Sequence, residues 1–450
     1  MYDLGIIGAG PAGYAAAIRA SQKGLSVVLF EKNFIGGTCL NRGCIPTKTI
    51  LHCCKLYTEL KNSEKFGIEA ENINFNFEKI QERQKNISEK IRKSLTNLIK
   101  SYNITIIEEE AEIETETLIK TKSGCYEVKN IIIATGSKPN KINFNGNYND
   151  SFILTSDDIL NINTLPASIL IVGSGAIGIE WARILSSLGV KVCIIEMMDK
   201  LIPTADYEVS ERIGRIFKKN KIEFYTSTTI ESIEDKKVTL SNGKIIEPDN
   251  ILQAIGRLPE KIAGNLSKKI EGSKYINIQN NYQTNISNIY AIGDINGKSM
   301  LAHSAMKQAE DLIDYIITKK IIEFDKDKVP AVIYGTPEIA YIGKTEQELI
   351  EKGIKYKKSF FPIAALGKAY AEDKIEGFIK ILATENEILG AHIISEEASA
   401  MIEQIAIAMG NNIKPKNISD IIFAHPTYSE GIHESILALD NLAIHIPNNK

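Results

Sequence analysis

The feature that most restricts how this chain can fold is a unit written twice. Residues 4–31 read LGIIGAGPAGYAAAIRASQKGLSVVLFE and residues 169–196 read ILIVGSGAIGIEWARILSSLGVKVCIIE. Each copy is an apolar strand, a G-x-G-x-x-G turn, a helix of small and apolar residues, a glycine, and a second strand that ends in Glu. The offset is 165 residues from Gly8 to Gly173, and 23 positions separate Gly8 from Glu31 just as they separate Gly173 from Glu196. One such turn by itself is weak grounds for a ligand. A strand before it, a helix after it and an acidic strand end, all in register, make it a dinucleotide fold.

The glycines have distinct duties. Gly8 and Gly173 permit the tight bend, Gly10 and Gly175 let a pyrophosphate approach the backbone, and Gly13 and Gly178 let helix and strand pack. The phosphates then sit on the helix N-terminus. Glu31 and Glu196 are each placed to bond a ribose. The Glu196 carboxylate suits a free 2′-hydroxyl and repels a 2′-phosphate, and Met197 and Met198 beside it offer no arginine, so NAD is expected rather than NADP.

Composition narrows the rest. Of 450 residues, 44% are hydrophobic and 24% charged, and the net charge is −3. Such values fit an ordinary multi-domain globular chain with no basic surface for nucleic acid or an anionic membrane. No apolar run reaches the roughly 18–20 residues of a membrane span, and no basic, cleavable leader precedes the first strand, so a cytoplasmic setting is expected. Between the two copies, residues 76–101 place Ile80, Ile87, Ile91, Leu95, Leu98 and Ile99 at helical spacing opposite charged residues. Alternating strands follow each copy, and Glu108–Glu110 reads as a solvated strand face. From about Val329 the pattern turns to strands and then helices, a separate α+β unit. The expected class is α/β, with two Rossmann-like dinucleotide-binding domains and a C-terminal α+β domain.

Six cysteines are too few for a secreted disulfide scaffold, and in a reducing compartment a close pair is catalytic or metal-binding before it is structural. Cys39 and Cys44 lie in GGTCLNRGCIPTK. On an ideal helix five residues advance about 7.5 Å, beyond the roughly 4.4–6.8 Å between Cα atoms that a disulfide tolerates. The first helical turn must therefore be distorted, with Gly43 supplying backbone freedom and Pro46 following where a missing N–H is tolerated. The pair then reads as a reducible disulfide near a helix N-terminus, where a thiolate is stabilised. Two buried thiols is the plainer alternative. No second Cys/His pair at metal spacing accompanies them, and no metal is expected. Cys53, Cys54, Cys125 and Cys193 sit in apolar contexts and read as core.

Taken in order, the first glycine turn, Glu31, GGTCLNRGCIPTK, the second glycine turn and Glu196 resemble the flavin-dependent pyridine nucleotide–disulfide oxidoreductases, and the resemblance runs through the whole chain. IYAIGDINGKSMLAHSAMKQAE resembles their second FAD segment. FFPIAALGKAYAEDKIEGFIKILATENEILGAHII resembles their interface domain, and AHPTYSEGIHE the motif that supplies a catalytic base. The resemblance implies a discontinuous FAD-binding domain over 1–140 and 265–327, an NAD-binding domain over 141–264 and a dimerisation domain over 328–450. It implies cofactor contacts at Gly8, Gly10, Gly13, Glu31, Lys32, Gly37, Thr38, Lys48, Thr135, Gly136, Asp294, Met300, Leu301 and Ala302 for FAD, and at Gly173, Gly175, Gly178, Glu196 and Gly256 for NAD.

The same resemblance makes Cys39 the sulfur that meets substrate, Cys44 the flavin-facing thiolate, and Lys48 with Glu180 an ion pair beside the flavin. His425 with Glu430 is the expected acid–base group, which simple chemistry also supports: a thiol attacks only once deprotonated, and a His made more basic by a carboxylate does this near neutral pH. With 386 positions between them, Cys39 and His425 meet only through assembly, and the resemblance implies a homodimer in which the His comes from the other subunit. The branch most resembled oxidises dihydrolipoamide carried on lipoyl domains of an acyltransferase (E2) or on a glycine-cleavage H-protein, reduces NAD to NADH, and serves 2-oxo acid dehydrogenase complexes by docking on an E2 core. Glutathione-type reductases carry basic residues for NADPH and a Tyr where this chain has Ile177. Mercuric-type reductases carry a further C-terminal cysteine pair. Those reductases and a non-catalytic FAD-binding scaffold are the alternatives.

Overall fold

Leu4 lies opposite Val27 in a parallel strand pair, and at the same offset in the second copy Ile169 lies opposite Val192. The repeat read in the sequence is thus a repeat of hydrogen-bond register. The structure, a computed structural model, describes residues 1–447, so the last three residues of the C-terminal unit expected over 328–450 lie outside it.

The first sheet runs Thr105–Ile107, Val27–Phe30, Tyr2–Ile7, Cys125–Ile133 and Ile289–Ala291, all parallel. Leu118–Lys120 and Glu112–Thr115 extend it antiparallel along the first half of Cys125–Ile133. The second sheet repeats the order with Glu223–Tyr225, Lys191–Ile195, Ser168–Val172, Asn250–Gln253 and Ile153–Leu154. The central strands are mostly apolar because both faces are buried, one under helices and the other under strands and loops, through Ile119 and Leu266 on the first sheet and Ile233 and Val238 on the second. Helix α1 (Pro11–Gln22) follows the first turn, with Pro at its start and Gly13, Ala16, Ala17 and Ala20 against the sheet. Helices α2 (Gly37–Arg42), α3 (Cys44–Lys61) and α4 (Phe77–Ser101) come next, and α5 (Ala176–Ser187) and α6 (Tyr207–Lys219) belong to the second copy. Ser137–Pro139 and Arg257–Pro259 pair antiparallel and join the two sheets at their exits.

The C-terminal unit is one antiparallel sheet in the order Ala331–Ile333, Glu338–Gly343, Ile388–Ser395, Phe378–Ala383, Lys357–Pro362. Residues of Ala398–Gly410 and Glu430–Ala438 share its core. Among the described residues no helix is long and apolar enough to cross a membrane.

Three expectations differ in detail. Helix α4 forms, but Ile91 and Leu98 are exposed while Gln81 and Gln84 are buried. The two amides reach the carbonyl oxygens of Ile162 and Leu160, so a polar side chain at a turn end outcompetes an apolar one there. Glu108–Glu110 is a loop beyond the strand rather than a strand face, and Glu110 pairs with Lys32. Cys125 is exposed, because it opens its strand at a hairpin, whereas Cys54 and Cys193 are buried.

The closest approach in the first copy is at Gly13, where a Cβ would fall 1.7 Å from the Gly8 carbonyl oxygen. The equivalent distance from Gly178 to the Gly173 oxygen is 2.1 Å. Gly13→Ala is expected to lower the denaturation midpoint by the equivalent of about 1–3 kcal/mol, the usual penalty of overpacking, as read by chemical unfolding.

Candidate active site

Each glycine turn is closed by the acid at the end of its second strand. Glu31 accepts from the Ala9 and Asn33 N–H groups, both at 2.8 Å, and Glu196 accepts from those of Ser174 at 2.8 Å and Met198 at 2.9 Å. Both carboxylates are thereby oriented, with lone pairs left for a ribose hydroxyl. Gly10 and Gly175 stand just before α1 and α5 with φ of −71° and −70°, and neither helix has a side-chain cap. The first N–H groups of both helices are thus available to a phosphate. Two cradles of one design fit two dinucleotides.

The first turn opens on a cavity of about 1170 Å³, of the size a dinucleotide needs. Gly8, Gly10, Glu31, Lys32, Gly37, Thr38, Cys39, Cys44, Lys48, Thr135, Gly136, Asp294, Met300, Leu301 and Ala302 line it, with Gly13 packed behind. Gly173, Gly175, Gly178, Glu196 and Gly256 do not line it. Helix α5 reaches it through Ala176, Ile177 and Glu180, so the two cradles meet at that helix.

The two cysteines lie on either side of a break. Instead of one helix with a distorted first turn, α2 ends at Arg42, Gly43 turns the chain, and α3 starts at Cys44. A Cβ at Gly43 would stand 3.1 Å from the Thr38 carbonyl oxygen and 3.5 Å from Cys39 Cα, so glycine is what lets the two helix ends close up. Asn41 fixes α2 by donating to the Ile35 and Gly37 carbonyls at 3.0 and 2.9 Å, while its own oxygen accepts from Arg92 on α4. Both cysteines are free thiols in this structure, in hydrogen-bond contact rather than bridged. Cys39 donates to Cys44, which lowers the Cys44 pKa to about 7; Lys48 adds to the effect and burial opposes it. The Cys39 pKa is pushed up by the same hydrogen bond and by burial. Cys44 also heads an 18-residue helix, whose N-terminus favours a thiolate.

Lys48 donates to both oxygens of Glu180 at 2.9 Å, joining α3 to α5, and its ammonium lies 4.6 Å above the Tyr334 ring. The Tyr334 N–H gives Glu180 a third hydrogen bond at 3.0 Å. Burial raises the Asp294 carboxyl pKa, against a hydrogen bond from Ser137. Sequence reasoning missed the neighbours of these residues. Arg257 bonds Ser137 and Thr38 and faces Asp157, which also pairs with Arg42 between the cysteines. Its place directly after Gly256 was the available signal. Arg183 holds the carbonyls of Tyr334 and Pro337 at 3.3 and 2.7 Å, and nothing in α5 alone pointed to it.

His425 does not line the cavity. Its Nδ1 sits 2.8 Å from Glu430, whose other oxygen accepts from the Thr427 N–H, and its side chain is 75% exposed. The described chain therefore does not bring His425 to Cys39.

Fold and site define an oxidoreductase with two dinucleotide cradles and a dithiol between them. Residues 2–309 match the model described as pyridine nucleotide-disulphide oxidoreductase, and residues 329–436 match its dimerisation domain. The chain belongs to the pyridine nucleotide-disulphide oxidoreductase family, it is an enzyme, and its cofactors are FAD and NAD. It is 34% identical to the dihydrolipoyl dehydrogenase of Bacillus subtilis over 99% of both chains. It is 35% identical to that of Chlamydia pneumoniae over 99% of this chain and 98% of the other, and 33% identical to the mitochondrial enzyme of Pisum sativum over 99% and 92%. Among solved structures it shares the fold of LpdA from Mycobacterium tuberculosis, with a TM-score of 0.90, 24% identity and coverage of 98% and 100%.

Because the Cys39 S–H is the first cause of the low Cys44 pKa, Cys39→Ala should raise it. In reduced protein the ultraviolet thiolate absorbance should titrate near pH 7 and move to higher pH in the variant. An unmoved titration would show that the hydrogen bond contributes little.

Proposed function

We propose that the chain oxidises the dithiol of dihydrolipoamide carried on a partner protein and delivers the electron pair to NAD, as a homodimer. The observation that carries this reading is the Cys39–Cys44 contact inside the first cradle's cavity, with the Lys48 ammonium beside it. The names of the relatives at 33–35% identity supply the substrate class.

In this reading the cycle starts from the oxidised pair. One substrate thiol gives its proton to His425 of the other subunit, whose Nδ1 is occupied by Glu430 and whose Nε2 is left to work. The thiolate attacks Cys39 Sγ; a substrate–Cys39 bond forms, the Cys39–Cys44 bond breaks, and Cys44 leaves as the thiolate that its surroundings favour. His425 passes that proton on to Cys39 as the second substrate thiol, giving its own proton to the same imidazole, attacks the first substrate sulfur; the substrate–Cys39 bond breaks, the cyclic disulfide leaves, and the second proton stays on His425 while Cys44 remains a thiolate. FAD bound in the first cradle would supply the two-electron chemistry that links this dithiol to NAD. Glu31, the α1 N-terminus, Asp294 and Met300–Ala302 are the residues that would hold it. Lys48, oriented by Glu180, offers a positive charge where the ring gains electrons.

Two observations favour NAD over NADP. Glu196 is 6% exposed and already oriented by three hydrogen bonds from Ser174 and Met198. The first cation after it, Lys200, is turned away to the Ala205 carbonyl at 2.5 Å. The acyltransferase or glycine-cleavage system served is part of the same proposal, and copurification of a lipoyl protein would identify it.

Purified protein is expected to be yellow and to reduce NAD with dihydrolipoamide far faster than NADP. Comparable rates with the two nucleotides would remove the Glu196 argument. Cys44→Ser should abolish turnover with FAD retained. His425→Gln should lose about 10²–10⁴-fold in rate, the usual contribution of a positioned acid–base group, and a small loss would reduce it to a structural residue.

A further inference from the structure

A lysine stands in the apolar strand FIKILA, in the interior of the C-terminal sheet. The Lys380 side chain is wholly buried, and its ammonium lies 2.8 Å from Asp206, 2.9 Å from Glu208 and 2.6 Å from Glu346. Glu346 belongs to the same unit, but Asp206 and Glu208 do not: they open α6 of the second dinucleotide unit. Neither half of the proposed cycle uses this cluster. A buried cation that gathers three carboxylates from two units is an uncommon arrangement, since desolvation is recovered only when the geometry is well satisfied.

Asp206 is its hub. The carboxylate has no exposure, and Oδ1 accepts from Lys380 and from the Glu208 N–H at 3.1 Å, capping α6. Oδ2 accepts from the Glu346 N–H at 2.9 Å. Two residues earlier, Thr204 meets the Tyr341 hydroxyl at 2.8 Å, so the loop before α6 is fastened to the C-terminal sheet twice.

That same loop leads back to the second cradle. The Ile202 N–H lies 3.2 Å from both the carbonyl and the hydroxyl oxygen of Ser174, inside the GSGAIG turn. Ser174 in turn donates through N–H and Oγ to Glu196 at 2.8 and 2.9 Å. Ile202 makes its bond from a left-handed conformation, φ +49°. A β-branched residue rarely adopts this backbone, and it persists only where the surroundings over-determine it. Ile202 is buried, and the loop that carries it is pinned at its far end by Asp206 and Thr204.

We propose that Asp206, clamped by Lys380, is a positioning residue for NAD: it holds the strained 199–206 loop against Ser174 and thereby sets the orientation of Glu196 from the C-terminal unit. The inference rests on the reading of the second cradle as the NAD site. It explains why the cluster spans two units and why Ile202 is strained next to a glycine turn.

The two half-reactions of the FAD-loaded enzyme separate the possibilities. Asp206→Asn removes the charge that Lys380 holds and leaves one acceptor oxygen, enough for either the helix cap or the bond from the Glu346 N–H but not both. Thr204→Val removes the second fastening without touching the cluster. Anaerobic reduction of the bound flavin by dihydrolipoamide, without nucleotide, should match the parent protein in both variants. Reoxidation of the reduced enzyme by NAD should need a higher nucleotide concentration, by about five- to tenfold or more for Asp206→Asn, within the usual range of coupling between sites. An unchanged NAD dependence in both variants, or a parallel loss in both half-reactions, would overturn the clamp. If Asp206→Asn does not fold, Thr204→Val decides alone. Parent enzyme that dihydrolipoamide reduces but NAD does not reoxidise would sink the proposed function instead.

Discussion

The approach of Cys39 to Cys44 across Gly43 is the constraint on which the rest of the site depends. The two residues are on different helices, and each helix is held from outside the loop: α2 by Asn41 and Arg92, α3 by the Lys48–Glu180 pair that ties it to α5. The dithiol, the first cradle and the second cradle therefore form one rigid frame. Breaking it at Lys48 would strand Glu180, which is 5% exposed, at a cost of about 3–5 kcal/mol. The electrostatic and the structural work of that pair cannot be removed separately.

The two dinucleotide cradles match down to single hydrogen bonds, yet their settings differ. Beyond Glu31 the chain runs to α2 and the cysteines and lines a large cavity. Beyond Glu196 it runs to Met197 and Met198, 70% and 48% exposed, and then to the loop that the C-terminal sheet grips. One turn is built into the interior, as suits a cofactor that stays. The other is open at its rim, as suits one that must come and go. The same backbone chemistry is thus divided between two uses by the segment that each acidic residue leads into.

Much of this was legible in the sequence because it rests on local pattern. Strand, glycine turn, helix and Glu keep their spacing in both copies, and hydrogen bonds between nearest elements are set by that spacing. Cys39, Cys44, Lys48 and Asp294 sit in segments whose residue order is informative alone. The illegible part depends on contacts distant in sequence. Arg257 reaches Ser137 and Thr38, Arg183 reaches Tyr334, and Lys380 reaches Asp206 across 174 positions. In none of the three does the local segment name the distant partner. The break at Gly43 was half legible: the spacing required a distortion, but only the contact with Thr38 and Cys39 shows that it splits one helix into two.

The central claim is that Cys39 and Cys44 form a reversible bond and that the isolated, oxidised protein carries it. Mass spectrometry of peptides from protein alkylated without prior reduction tests this directly. The account predicts a Cys39–Cys44 crosslinked peptide that disappears on anaerobic incubation with dihydrolipoamide. Recovery of both residues fully alkylated from unreduced, air-equilibrated protein would contradict it.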